Sequence, residues 1–162
     1  MSPFAAIPKP STIADSLLTY ALSSDQWFKY YNFDAIVAPP ELLLSDPFLC
    51  YLHCVEPFHA GVLRIPPNTC YNWHVDTDRG CAVNMLLSAF DTSHCLFAPE
   101  PAEVVFPVVE LKYRPNTYYV FDTQTPHTVV NGDGYRYLFS VEFFARKGQL
   151  SYAQLLHALH IR

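Results

Sequence analysis

From residue 61 onward the chain alternates apolar and polar positions in short runs, with Pro, Asn, Asp and Gly clustered between them. Alternation with a period of two sends successive side chains to opposite faces of an extended segment, so each run predicts a β-strand. The runs cover 61–65, 71–76, 81–87, 94–97, 104–111, 117–122, 127–131 and 135–144. Between them lie Pro66-Pro67-Asn68, the stretch from Asp76 to Gly80, Arg114-Pro115-Asn116 and Asn131-Gly132-Asp133-Gly134. These are turn residues, which preset φ or tolerate positive φ. Eight short strands at this spacing predict a mainly β sandwich or jelly roll.

Before residue 61 the period lengthens. Ser11 is placed to cap a helix in which Ile13, Leu17, Leu18 and the run from Tyr20 to Leu22 form an apolar stripe, giving a helix of about 12 residues. A second helical or turn-rich piece is expected over 25–31, and Pro39-Pro40 suits the first turn of a third helix running into Glu41-Leu42-Leu43-Leu44. Ser151 opens a C-terminal helix with Tyr152, Leu155, Leu156 and Leu159 on one side. The organisation expected is a single domain: helical or irregular support over 1–60, a β core over 61–146, and a closing helix over 147–162.

The last strand carries the clearest two-faced pattern. Arg136, Leu138, Ser140 and Glu142 share one face, and Tyr135, Tyr137, Phe139, Val141 and Phe143 share the other. An aromatic outer face needs a cover, and the N-terminal helices are the natural one. The more polar face then points into the interior.

Composition narrows the function classes. With 51% hydrophobic and 15% aromatic residues the chain can bury a core, and a formal charge of −5 gives no general attraction to phosphate backbones or anionic membranes. Nucleic acid is disfavoured as a partner. No segment approaches the run of apolar residues that a membrane-spanning helix needs. The five cysteines include no CxxC pair, and the start MSPFAAIPKP lacks the layout of a secretory signal; a cytoplasmic, reducing setting is expected. Oligomeric state is not readable from the sequence.

Candidate chemistry concentrates in four residues. His74 and Asp76 sit two apart in YNWHVD, so a strand can present an imidazole and a carboxylate side by side. His127 in TPHTVV would complete two histidines and one carboxylate on one face of a metal, leaving coordination positions open. Arg136, nine positions later in GYRYLF, offers a planar fork that can pair bidentately with a carboxylate. The residues by themselves also allow an ion pair between His74 and Asp76, a hydrogen-bonded core histidine at 127, and a structural arginine paired with Glu142 or Glu110.

The order His-x-Asp, distal His, then Arg resembles the Fe(II)/2-oxoglutarate-dependent dioxygenases over residues 61–146. The resemblance implies a double-stranded β-helix, a jelly-roll, cupin-like barrel backed by N-terminal helices. It implies Fe(II) on His74, Asp76 and His127, 2-oxoglutarate with its far carboxylate on Arg136, and O2 as the oxidant. The activity implied is hydroxylation of a peptide side chain or small molecule. Tyr71, three before the first histidine, is similar to a cosubstrate-binding tyrosine of the prolyl-hydroxylase-like branch, but regular alternation turns it away from His74. A bulge or a strand start between Asn72 and His74 is required for it to join the site. Asn84, a polar residue within CAVNMLL, is a candidate partner of a cosubstrate carboxylate, and Asn72 and Arg79 are candidate substrate contacts. Halogenating relatives replace the carboxylate ligand, so Asp76 points to hydroxylation. Ser or Thr two positions after the arginine is common in such proteins; Leu138 stands there, with Ser140 two later. A cupin-like metal enzyme and a metal-binding β-sandwich without 2-oxoglutarate are the alternatives. The stretch from Ser88 to Val104 is too short for a large lid.

Overall fold

The computed structural model describes residues 2–88, 92–98 and 107–161. Its strands form two antiparallel sheets. The larger has the order β1 (Phe4–Pro10), β9 (Thr117–Phe121), β6 (Ala82–Leu86), β11 (Arg136–Phe143), β4 (Phe58–Ile65), β3 (Phe33–Val37) and β2 (Phe28–Tyr30). The smaller has the order β5 (Cys70–His74), β10 (His127–Val130), β7 (His94–Phe97) and β8 (Val109–Leu111). Strands β4 to β11 thus divide between the sheets in the interleaved order of a jelly roll. Among the described residues no ladder joins the two sheets, so the architecture is an open sandwich and not a closed barrel.

All eight core strands expected from alternation are present, with small differences at their ends. Residues 104–106 of the fifth, and most of the 88–104 stretch, lie outside the described residues. The turns behave as their composition predicts: Asn68 and Asn116 take φ of 53° and 52°, where the asparagine side chain lowers the cost of the left-handed conformation.

The first sixty residues differ from the helical expectation. They contribute three strands, and 28–30 is strand β2 where a helical or turn-rich piece was expected. The strand β1 carries Pro8 and Pro10, which an edge strand tolerates because one side of it needs no ladder donors. Helix α1 spans Ala14–Ser23 and has no side-chain cap. Ser11 Oγ instead lies 2.9 Å from the Tyr118 hydroxyl and accepts from Ile13 N–H at 3.2 Å. Helix α2 (Pro40–Leu44) begins on the Pro39-Pro40 step. Helix α3 (Pro47–Val55) was not foreseen; Asp46 caps it by accepting from Phe48 and Leu49 N–H, and its other oxygen accepts from Thr12 N–H at 2.8 Å. Helix α4 (Tyr152–Ala158) starts with the Ser151–Gln154 capping box.

Two apolar clusters hold the layers. Between the sheets, Phe33, Ala82, Tyr119 and Phe121 of the larger meet Cys95, Phe97, Leu111 and Val129 of the smaller. The rings of Phe97 and Phe121 stand 4.6 Å apart. On the far side, Phe139, Val141 and Val62 share a buried cluster with Leu17 of α1 and Leu49 and Leu52 of α3. Each such side chain contributes about 1.5–3 kcal/mol by leaving water. The two faces of β11 therefore separate as the alternation predicts, with Arg136, Leu138, Ser140 and Glu142 lining the space between the sheets.

Candidate metal centre and cosubstrate pocket

The smaller sheet brings the two histidines together by register. His74 ends β5, His127 begins β10, and the two are Cα partners in the antiparallel ladder. Their ring centroids are 4.2 Å apart. Asp76 lies just past β5, where its N–H donates to the Thr123 carbonyl at 3.0 Å. This link bends the chain back toward the turn before β10. Asp76 Oδ1 is then 3.7 Å from His74 Nε2 and 3.9 Å from His127 Nε2. One ligand atom from each of the three falls within 4.8 Å of the others. A divalent first-row metal, at about 2.0–2.2 Å from imidazole and carboxylate donors, fits between atoms at that separation.

Both imidazoles are oriented for ligation by nitrogen Nε2. His74 Nδ1 lies 2.7 Å from the Asn72 carbonyl and His127 Nδ1 lies 2.9 Å from the Thr125 carbonyl. A carbonyl only accepts, so Nδ1 carries the proton in each ring and the Nε2 lone pair faces the triangle. Burial pushes the His127 pKa below the ordinary histidine value and outweighs the Thr125 carbonyl, which favours the charged ring. The neutral ring is the ligating form.

Tyr71 reaches the same cavity because β5 is bulged. In the ladder His127 pairs with His74 but Val129 pairs with Tyr71, so two residues of β10 span three of β5. The extra residue restores Tyr71 to the face of His74, with ring centroids 4.1 Å apart. Of the two arrangements that would let Tyr71 join the site, a bulge or a strand start, the ladder has the bulge. Phe33 packs edge-on against Tyr71 at 5.5 Å.

Arg79 sits on Asp76. Its Nε donates to Asp76 Oδ2 at 2.7 Å, one terminal nitrogen forms an ion pair with the same oxygen at 2.7 Å, and the other terminal nitrogen donates to Ser140 Oγ at 3.4 Å. The turn is clasped from across by Gln124, whose Nε2 donates to the Asp76 carbonyl at 3.0 Å and the Arg79 carbonyl at 2.7 Å, and by Thr123 Oγ1, which donates to the Arg79 carbonyl at 2.7 Å. Sequence reasoning placed Arg79 toward a substrate and did not find Gln124 or Thr123. A glutamine in a turn carries no signal that its amide reaches a strand end 48 residues away.

Arg136 opens β11 and is 2% exposed, on the wall of the cavity that also contains His74, Asp76 and His127. Its guanidinium donates to Ser93 Oγ and lies 5.2 Å from the Tyr113 ring centroid. The carboxylates considered as structural partners are engaged elsewhere, Glu110 with His94 at 2.7 Å and Glu142 with His59 at 3.3 Å. The cavity has a volume of about 390 Å³, the size of a small-ligand site. Asn84 lines it, opposite Ser140 in the ladder, and its buried Oδ1 has no hydrogen-bond partner among the described residues. That acceptor is costly to bury unless something fills the cavity. Asn72 is outside this cavity: its side chain is exposed beside Cys70, and its part is the carbonyl that orients His74. Asp122 caps its own turn, accepting from Gln124 N–H and Thr125 Oγ1, and takes no place in the triangle.

No protein-family model matches the sequence, and no curated protein matches it. Solved structures do. A prolyl hydroxylase from Trichoplax adhaerens, in complex with a hypoxia inducible factor peptide fragment, superposes with TM-score 0.68 at 14% identity over 89% of this chain and 84% of that one. A prolyl-4-hydroxylase from Pseudomonas putida gives 0.66 at 15% identity, covering 87% and 91%. HygX from Streptomyces hygroscopicus, with nickel, 2-oxoglutarate and hygromycin B bound, gives 0.62 at 14% identity, covering 86% and 82%. The chain has the fold of the 2-oxoglutarate-Fe(II) oxygenases, and prolyl hydroxylases are among the structures it resembles.

Proposed function

We propose that this protein is an Fe(II)- and 2-oxoglutarate-dependent oxygenase that hydroxylates an unactivated C–H bond of a peptide side chain or small molecule, releasing succinate and CO2. The observation that carries the reading is the joint placement of the His74–Asp76–His127 triangle and the buried Arg136 on one cavity. Two neutral imidazoles and one carboxylate leave a first-row metal with open positions, the donor set of non-haem iron oxygenases. His74, Asp76 and His127 hold the Fe(II); Arg136 takes the far carboxylate of 2-oxoglutarate by a charge-assisted pair. Tyr71 and Asn84 line the cosubstrate's part of the cavity, and the unpartnered Asn84 Oδ1 is consistent with a ligand there. Bound iron with 2-oxoglutarate supplies the activation of O2; the chain orients both and keeps water from the reacting centre.

The finer architecture proposed is the double-stranded β-helix with the larger sheet backed by the N-terminal helices, supported by the buried cluster that Leu17, Leu49 and Phe139 share. Organisation as one domain over 1–162 fits both apolar clusters drawing on residues from before 61 and after. A peptide or small molecule as substrate is in keeping with the peptide and the hygromycin B bound by the two similar proteins. A cytoplasmic setting is proposed from the cysteine usage and N-terminal composition of the sequence; no helix among the described residues is long and apolar enough to cross a membrane. The test is succinate release from 2-oxoglutarate under air with Fe(II), screened against amino-acid, peptide and metabolite pools. Metal-dependent release stimulated by one pool is expected. No release with or without any pool favours a cupin-like or purely binding site.

A further inference from the structure

We infer that Arg79 is the positioning residue of the metal centre: it fixes Asp76 as a one-oxygen ligand and ties that ligand to the strand that carries Arg136. The inference rests on the metal site proposed above.

Asp76 has two oxygens with different neighbours. Oδ1 faces His74 and His127, while Oδ2 accepts a hydrogen bond of 2.7 Å from Arg79 Nε and forms an ion pair at 2.7 Å with a terminal nitrogen of the same guanidinium. A guanidinium held against one oxygen by a charge-assisted hydrogen bond restricts the carboxylate as well as balancing its charge. With Oδ2 engaged, only Oδ1 can approach a metal, so the carboxylate takes one coordination position.

Arg79 is itself held on three sides. Its carbonyl accepts from Gln124 Nε2 and Thr123 Oγ1, and its guanidinium reaches Ser140 Oγ on β11. Gly80 beside it packs so tightly that an added Cβ would lie 2.2 Å from the Leu150 carbonyl oxygen, which pins the backbone of the turn. Ser140 lies four residues beyond Arg136 on the same face of β11, about 13 Å along the strand. The guanidinium therefore ties Asp76 to β11, the strand that also carries Arg136. A surface arginine pairing by chance needs none of this support.

The role separates from that of Arg136 in binding experiments. Apo full-length wild type, Arg79→Met and Arg79→Lys are titrated anaerobically with Mn(II), followed by the electron paramagnetic resonance of the free ion. 2-Oxoglutarate is then titrated at saturating metal, and thermal unfolding is recorded without metal. Arg79→Met is expected to weaken metal binding by about 10–100-fold, the usual effect of removing an outer partner of a ligand. Arg79→Lys, which keeps the charge but not the fork, falls between. Once metal is saturating, 2-oxoglutarate affinity changes far less than metal affinity. Equal Mn(II) affinity in wild type and Arg79→Met overturns the inference while leaving the metal site intact. If Arg79→Met does not fold, Arg79→Lys decides: full affinity overturns the inference, and weakened affinity at an unchanged unfolding midpoint supports it. A wild type that binds no Mn(II) removes the metal site and this inference with it.

Discussion

His127 is the proposed ligand whose contribution is simplest to isolate, because its ring is buried, its Nδ1 is fixed by the Thr125 carbonyl and its Nε2 faces Asp76. His127→Ala removes one of three protein donors and leaves a small cavity. Metal-dependent 2-oxoglutarate turnover is expected to vanish, with metal affinity reduced at least as far as the 10–100-fold typical of losing an outer-shell partner; an isotope-based succinate assay with a parallel metal titration checks this. Retained turnover removes His127 from the site. The residue types and spacing of the triangle were legible because strand alternation places i and i+2 on one side and because two histidines with a carboxylate form a recognisable donor set. The role of Arg79 was not legible. A loop arginine next to a carboxylate has several possible partners, and only the folded turn shows that its guanidinium meets Asp76 Oδ2. For Tyr71 the sequence left a bulge or a strand start as the ways to reach the site, and the ladder has the bulge.

Among the elements, β4 shows how a single position holds the cavity wall. Gly61 pairs with Val37 of β3 on one side and Ser140 of β11 on the other. A Cβ at residue 61 would stand 2.4 Å from the Ile36 carbonyl oxygen, a backbone atom that moves only with its strand. Gly61→Ala is expected to push β3, and β2 with it, away from the sheet at a cost of about 1–3 kcal/mol, read by chemical denaturation. Phe33 and Tyr30 on those strands line the cavity, so substrate affinity should fall with the stability. A variant as stable as wild type contradicts the close approach. Sequence periodicity revealed the central strands, where buried faces enforce alternation, and missed the outer ones. Strand β2 is three exposed residues, too short for a period to register. Strand β1 contains two prolines, which argue against a strand unless its edge position is known. Helix α3 was not foreseen: its cap, Asp46, accepts from Phe48 and Leu49 N–H through one oxygen, while the other bonds Ser11 and Thr12, far away in the chain.

At the scale of the whole molecule, two facing sheets hold a cavity whose one end gathers His74, Asp76 and His127 and whose wall carries the buried Arg136. The central claim is that these two features bind one chelating cosubstrate. A metal site alone does not test it, since a cupin-like protein has one as well. The direct measurement is anaerobic titration of Fe(II) and then 2-oxoglutarate into wild type and Arg136→Met, following the visible metal-to-keto-acid charge-transfer band, with unfolding midpoints recorded for both. Wild type is expected to develop the band only when both components are present. Arg136→Met is expected to keep its Fe(II) affinity and to lose about 2–5 kcal/mol of 2-oxoglutarate binding, as when one partner of a buried charge pair is removed. No band in the wild type, or equal 2-oxoglutarate affinity in the two proteins, contradicts the claim and leaves a metal-binding β-sandwich.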